Sequence, residues 1–442
     1  MLVEAPPSAG VLARRIGALA GPTFAIAVLQ SAGQLIETVL AARQGTLALA
    51  GWALVLPFTL LMQQMSAGAM GGGVVSAIAR SLGAGRREDA SALVLHALLI
   101  AMGFAATYVL VLAVFPRAVL GAIGGAEAAA AAAAYSMWLF GAGAVPAWLT
   151  NTLASVLRGG GKHGLAARIT LFSALVQPPL AWALMEPAGF GLPGLGMAFA
   201  LSQWGAALAM IVVVGRGGAG FLPTLRVRPQ RALFGRILSV GAVACAMATV
   251  ANTTTILVTA SIALHGAAAV AAYGISARLE FLMVPLAFGV GSALTALVGR
   301  AVGAGDWVTA RRTAWTGGVA AFVVCAAFGA AVGLFPHGFA RFFTADAEVV
   351  ALAARALGYV GPAFGAFGLG MCLYFASMGA GRMLWPATAG LTRIAVAVGG
   401  GALLSGPLGM GLDGQFLAVA LGITAFGGLI ASSVRPGVWV AR

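Results

Sequence analysis

Twelve long apolar stretches, separated by short segments richer in Arg, Gly and Pro, leave this chain few ways to fold. They run at about 16–42, 48–79, 91–115, 129–156, 165–185, 193–215, 237–264, 271–299, 313–335, 349–378, 384–405 and 414–434. About 20 apolar residues let a helix cross a bilayer core. In hydrocarbon the backbone must satisfy its own hydrogen bonds, so each stretch reads as a helix. Hydrophobic residues make up 61 % of the 442 and charged residues only 8 %, whereas soluble domains carry roughly 25 % charged residues. A soluble globular protein and a disordered one are both excluded. The expected fold class is an all-α polytopic membrane protein with twelve transmembrane helices. The first stretch follows Arg14 and Arg15 like a signal peptide, but it is too long and contains Glu37, so it reads as an uncleaved helix.

The net charge of +14 would suggest nucleic-acid binding on a soluble domain, but no soluble domain exists here. Position along the chain is more informative. With the N-terminus in the cytoplasm, 20 of the 25 basic residues fall inside, Arg393 among them. Four fall outside (Arg43, Arg117, Arg341 and Arg355) and Arg278 lies within a span. By the positive-inside rule both termini are expected to be cytoplasmic.

The longest basic segment lies midway. It divides the chain into an N-terminal six-helix lobe at 1–215, a cytoplasmic linker at 216–236 and a C-terminal six-helix lobe at 237–442. The two lobes resemble each other. Residues 81–90, SLGAGRREDA, match residues 301–310, AVGAGDWVTA, at an offset of 220, and Gly159–Lys162 match Gly379–Arg382 at the same offset. Six helices is an even number, so the halves enter from the same side and form parallel repeats.

No catalytic set emerges. No P-loop sequence is present, and His96, His163, His265 and His337 are dispersed. Cys245, Cys325 and Cys372 stand alone in apolar runs and read as free, buried thiols. No metal site or cofactor is expected beyond a coupling ion, H⁺ or Na⁺. Of the eleven acidic residues only Glu37 and Glu280 fall within spans. A charge in hydrocarbon costs about 2.5–3.5 kcal/mol on insertion scales, so such residues face cavities or partners. Gln30, Gln34 and Glu37 recur at i, i+4 and i+7 and form one polar stripe. Amides beside a carboxylate can solvate it or complete an oxygen shell around a cation. Asn252 and Thr255 form a second stripe, with Thr255 opposite Gln34 in the repeat. Gln63 stands among methionines, which suit a pocket that repacks around varied ligands. These residues are the candidate substrate cavity, with Glu37 and Glu280 the candidate ion-coupling groups. Pro22 removes a backbone donor and permits a bend in the helix that bears Glu37.

The order of these motifs resembles the multidrug and toxic compound extrusion (MATE) family over nearly the whole chain. The resemblance rests on Gly21-Pro22 and Glu37 in the first helix, and on Gly83-Ala84-Gly85 and Gly303-Ala304-Gly305. It rests also on Leu157–Gly161 and Gly379–Arg382. It implies two lobes, a cleft open to one side at a time, and export of organic cations in exchange for H⁺ or Na⁺. Glu37 matches the family's first-helix carboxylate, which is usually Asp. Many Na⁺-coupled relatives carry an acidic residue in the tenth helix, and 349–378 has none. Where the fifth helix often carries Asn and Asp, Gln177 and Ala181 stand. These departures favour H⁺.

The expected function is secondary antiport of small organic, chiefly cationic and varied substrates, by a monomer in a bacterial inner (plasma) membrane. The lipid bilayer is its partner and nucleic acid is not. The alternative is a flippase for a lipid-linked oligosaccharide. That carrier needs a cationic cavity for phosphates, whereas the basic residues here crowd the loops.

Overall fold

The structure, a computed structural model, describes residues 8–440, and among them every regular element is helical. Ten helices are long and apolar enough to cross a membrane: α1 Ala9–Arg43, α2 Thr46–Gly83, α3 Arg87–Val114, α6 Leu192–Gly215, α7 Arg231–Ala263, α8 Ala267–Gly303, α9 Trp307–Leu334, α10 Ala347–Ala380, α11 Leu384–Ser405 and α12 Gly411–Ser433. A pair bent by 43°, Gly125–Ala142 with Ala144–Gly159, makes an eleventh candidate, here α4. The remaining expected segment is the 23-residue helix His163–Met185, here α5. At 1.5 Å per residue it is about 35 Å long. It is less apolar than the others because it carries Arg168, Thr170, Ser173, Gln177 and two prolines.

Contacts divide the chain into two compact units. One is Gly21–Ala242 and the other is Met1–Ala20 with Val243–Arg442. The divisions fall inside α1, directly ahead of Gly21-Pro22, and inside α7. The first unit is built around fully buried Met62, Ile78, Leu93, Phe140 and Trp148. The second has apolar clusters centred on residues such as Phe364, Phe416 and Ile423, and on Leu294, Leu373 and Ile430.

Backbone conformation repeats with the sequence offset. Glycines with positive φ recur 220 residues apart as Gly85 and Gly305, Gly161 and Gly381, Gly189 and Gly409, Gly191 and Gly411, and Gly217 and Gly437. Gly45 and Gly266, at φ 103° and 102°, are 221 apart. Glycine is the residue that adopts this region without a Cβ penalty. Its recurrence in matching turns is therefore a conformational match, not a consequence of the chain's high glycine content. Phe115 and Phe335 likewise share one non-helical conformation (φ −117°, ψ 42° and φ −122°, ψ 47°), each just before a proline that opens a helix.

The helices are not regular throughout. Residues 64–69 of α2 and 395–400 of α11 form π-helical turns. At the 220-residue offset these positions correspond to 284–289, which contains Pro285, and 175–180, which contains Pro178 and Pro179. Each half thus interrupts the same helix at the same level, one copy by a π turn and the other by proline.

One charge is placed differently from expectation. The charge pattern puts Arg393 among the cytoplasmic residues, but it lies at the tenth position of the 22-residue α11, beside Glu280 of α8. The physical reason is neutralisation: an arginine is tolerated at that depth when a carboxylate faces it. Arg278 is therefore not alone within a span. The three cysteines are buried, as expected, and none forms a disulfide among the described residues.

Candidate functional site

The first-helix stripe opens onto a cavity of about 130 Å³ inside the Gly21–Ala242 unit. α1 contributes Gln30, Gln34 and Glu37, and α2 contributes Thr59 and Gln63. Tyr135 comes from α4, Thr170, Ser173 and Gln177 from α5, and Gln203 from α6. Trp52, Leu56, Leu139, Leu195 and Phe199 supply apolar wall. The volume holds several waters but falls below the ~300 Å³ at which drug-sized ligands begin to fit. It is scaled for water and a small ion.

Glu37 is the acidic group of this cavity. Gln177 Nε2 donates to Glu37 Oε1 at 2.6 Å. No cationic side chain lines the cavity, and none pairs with Glu37 among the described residues. Gln177 lies immediately before Pro178-Pro179. Proline has no N–H, so the carbonyls of Ala174 and Leu175 lose their regular helical donors. Ala174 lines the cavity. A carboxylate, amides and hydroxyls thus converge on one small volume.

Close helix packing shapes the walls. A Cβ on Gly196 of α6 would stand 2.8 Å from the Tyr135 carbonyl and 2.9 Å from Trp138 Cβ, so only glycine lets α6 approach α4 this closely. Beyond Gln63 the polar groups continue inward. Asn151 Nδ2 reaches Gln63 Oε1 at 3.3 Å and Ser66 Oγ at 2.8 Å, and Ser66 Oγ donates to the Met62 carbonyl. Ser66 lies in the π turn of α2, where the widened backbone re-aims side chains.

Four of the expected residues, Gln30, Gln34, Glu37 and Gln63, therefore meet. Asn252, Thr255 and Glu280 lie in the second unit and do not line this cavity, and Pro22 lies in the first unit outside its lining. Asn252 Nδ2 donates to the Ala248 carbonyl at 2.8 Å, and Thr255 Oγ1 donates to the Ala251 carbonyl at 3.3 Å. Glu280 forms an ion pair with Arg393, whose guanidinium lies 5.7 Å from the Phe367 ring centroid. Tyr135, Thr170, Ser173 and Gln203 join the cavity without having been singled out in sequence. Thr170, Ser173 and Gln177 recur at i, i+3 and i+7, so spacing alone puts them on one face of α5; Tyr135 and Gln203 carry no such signal.

The second half does not rebuild the cavity. At the repeat positions of Glu37, Gln63, Gln177 and Gln203 stand Val258, Met283, Ala397 and Ile423. All four belong to one buried apolar cluster. The polar volume of one half is solid core in the other.

Comparison with known proteins agrees with this architecture. The profile of the MatE family matches residues 22–183 and 242–400. A MOP superfamily transporter from Pyrococcus furiosus, described as having reverse polarity of its binding pocket, superposes with a TM-score of 0.88 at 21 % identity. The match covers 98 % of this chain and 99 % of that one. A multidrug resistance MATE family transporter of the MOP superfamily in an outward-facing conformation gives 0.85 at 22 %, covering 98 % and 99 %. A MATE structure in a bent conformation gives 0.89 at 22 %, covering 98 % of each chain. A search of characterised protein sequences finds no match.

Proposed function

Because the chain belongs to the MatE family of multi-pass membrane transporters, we propose that it is a secondary antiporter that exports organic, chiefly cationic compounds in exchange for H⁺. The observation that carries this reading is Glu37: a carboxylate in a small polar cavity, held by one amide, with no cation beside it among the described residues. A group so placed changes its charge by taking up an ion. Two states that differ in that charge can bind substrate differently, and such a difference is what coupling requires.

H⁺ is favoured over Na⁺ by the donor set. Gln177 presents an N–H to the carboxylate, whereas a metal ion would need oxygen atoms turned inward. Pro22 supports a bend in α1 on protonation, since the division between compact units falls directly before Gly21-Pro22. We place the protein in a bacterial plasma membrane with both termini cytoplasmic, from the distribution of its basic residues. It works there as a monomer whose partners are lipid and small organic cations. The oligosaccharide flippase remains the weaker reading, because the further arginine found within a span, Arg393, is already occupied by Glu280.

The test is dye efflux from proteoliposomes with a pH gradient and a Na⁺ gradient imposed separately. Efflux driven by the pH gradient alone is expected. Efflux driven only by Na⁺ would refute the ion assignment.

A further inference from the structure

The strap between α6 and α7, residues 216–230, takes no part in the cavity, and its outer face sets leucine beside arginine. Leu222 and Leu225 are 66 % and 54 % exposed. Arg226 and Arg228 follow them, Arg216 precedes and Arg231 closes the strap, and all four arginines are exposed. None of the four forms an ion pair among the described residues. The sequence offers them little choice, because no acidic residue occurs between Glu186 and Glu280. The acidic groups at the start of the adjoining α3 are Glu88 and Asp89. Asp89 is already held by Arg236 at 2.7 Å and by Arg86 at 3.6 Å.

The strap is fixed to the helix ends. Ala219 and Phe221 are buried, and a Cβ on Gly160, just past α4, would run into the Ala219 carbonyl. The backbone N–H of Thr224 donates to the Ser91 carbonyl at 3.2 Å, and that of Gln230 donates to His96 Nε2 at 2.8 Å. Both acceptors lie within about the first three turns of α3. At 1.5 Å per residue α3 is about 42 Å long, which matches the ~40–45 Å of a bilayer with its headgroups. Its first turns therefore occupy the headgroup layer and the adjoining acyl chains. The strap bonded to them lies at the same depth.

We infer that this strap is a binding surface for anionic phospholipid, with Leu222 and Leu225 seated among acyl chains and the arginines holding headgroup phosphates. Scattered exposed leucines need no explanation in water. Two of them at this depth, alternating with unpaired guanidinium groups, fit the boundary where acyl chain gives way to phosphate. The planar guanidinium fork matches a phosphate's oxygen atoms, and such charge-assisted bonds are the strong ones. An anionic headgroup is favoured over a zwitterionic one, whose own cation offsets the attraction of its phosphate. The backbone is already fixed by Ser91, His96 and the Gly160 contact, so binding orders little that was free. The inference rests on the chain's membrane class and on this one compact unit. It is independent of the ion and substrate assigned to the cavity.

Native mass spectrometry of the full-length protein, stripped of lipid in detergent, tests this with phosphatidylglycerol and phosphatidylcholine as probes. Wild type is expected to bind phosphatidylglycerol in preference. An arginine at an anionic membrane surface contributes roughly fivefold, so Arg226→Gln with Arg228→Gln should weaken phosphatidylglycerol binding about thirtyfold. Binding of phosphatidylcholine should change little. Arg117→Gln with Arg341→Gln removes the same charge at exposed positions elsewhere and should leave the preference intact. Depth is read in nanodiscs from a nitroxide on Leu225→Cys, since the three native cysteines are buried. The label should be more accessible to O₂ than to a water-soluble nickel chelate. Equal binding of the two lipids by wild type would overturn the proposal. So would an equal loss in both double variants, or a label reached mainly by the nickel chelate. Competition by soluble glycerol phosphate as effective as by the lipid would also overturn it, because the strap would then be a soluble-anion site. The substituted positions are all exposed, and an unchanged melting transition checks that each variant is folded.

Discussion

Glu37 and Gln177 form a pair in which only one partner is charged, and this makes their individual substitutions informative. Replacing Glu37 with Gln keeps the size and hydrogen bonding but removes the ability to change charge. The expected result is a folded protein without ion-driven efflux, checked by thermal melting and a vesicle transport assay. Gln177→Leu removes the donor at 2.6 Å while keeping the carboxylate. A hydrogen bond to a charged group contributes about 1.5–3 kcal/mol, so ion-driven efflux should slow by roughly tenfold or more without being abolished. Part of this site was legible in sequence. Gln30, Gln34 and Glu37 share one helix face by spacing alone, and a carboxylate within a span announces itself by its cost. Gln177 became visible only through the family resemblance. Tyr135, Thr170, Ser173 and Gln203 were not legible as site residues. Which face of α4, α5 and α6 meets α1 is decided by packing between residues about a hundred or more apart in sequence, and that packing depends on close approaches such as Gly196 against Tyr135.

At the scale of the helices, Glu280 and Arg393 show why a charge within a span is an ambiguous signal. Both side chains are largely buried, and each neutralises the other across α8 and α11. Arg393→Leu would leave Glu280 without its partner. Breaking a buried pair from one side typically costs about 3–5 kcal/mol, so the melting temperature in detergent should fall clearly. The double variant Glu280→Leu with Arg393→Leu removes both charges and should recover much of the loss. A double variant as unstable as the single one would mean that packing, not charge, was lost. The charge count assigns Arg393 to the cytoplasmic side because position along a chain does not reveal a partner 113 residues away. The helix interruptions were half legible. Proline declares itself at Pro178-Pro179 and Pro285, whereas the matching π turns at 395–400 and 64–69 carry no such residue.

Over the whole molecule, the halves share a backbone and differ in what fills it. The repeat was visible in sequence through the GAG turns, and the recurring positive-φ glycines extend it to both ends of each half. The division inside α1 and α7 was not visible, because an apolar helix carries no mark where its packing partners change. The asymmetry is functional in this account. Val258, Met283, Ala397 and Ile423 fill the second half where Glu37, Gln63, Gln177 and Gln203 leave a cavity in the first. Ion coupling should therefore reside in the first half alone. Glu280→Gln combined with Arg393→Gln should leave ion-driven efflux within about threefold of wild type, less than the contribution of one hydrogen bond to a charged group. A loss as complete as that of Glu37→Gln would assign coupling to both halves.

The most direct test of the central claim is dye efflux from proteoliposomes under an imposed pH gradient, with wild type and Glu37→Gln reconstituted side by side. The account predicts gradient-driven efflux by the wild type and none by the variant, with both proteins showing the same melting transition. Efflux by Glu37→Gln at the wild-type rate would contradict it.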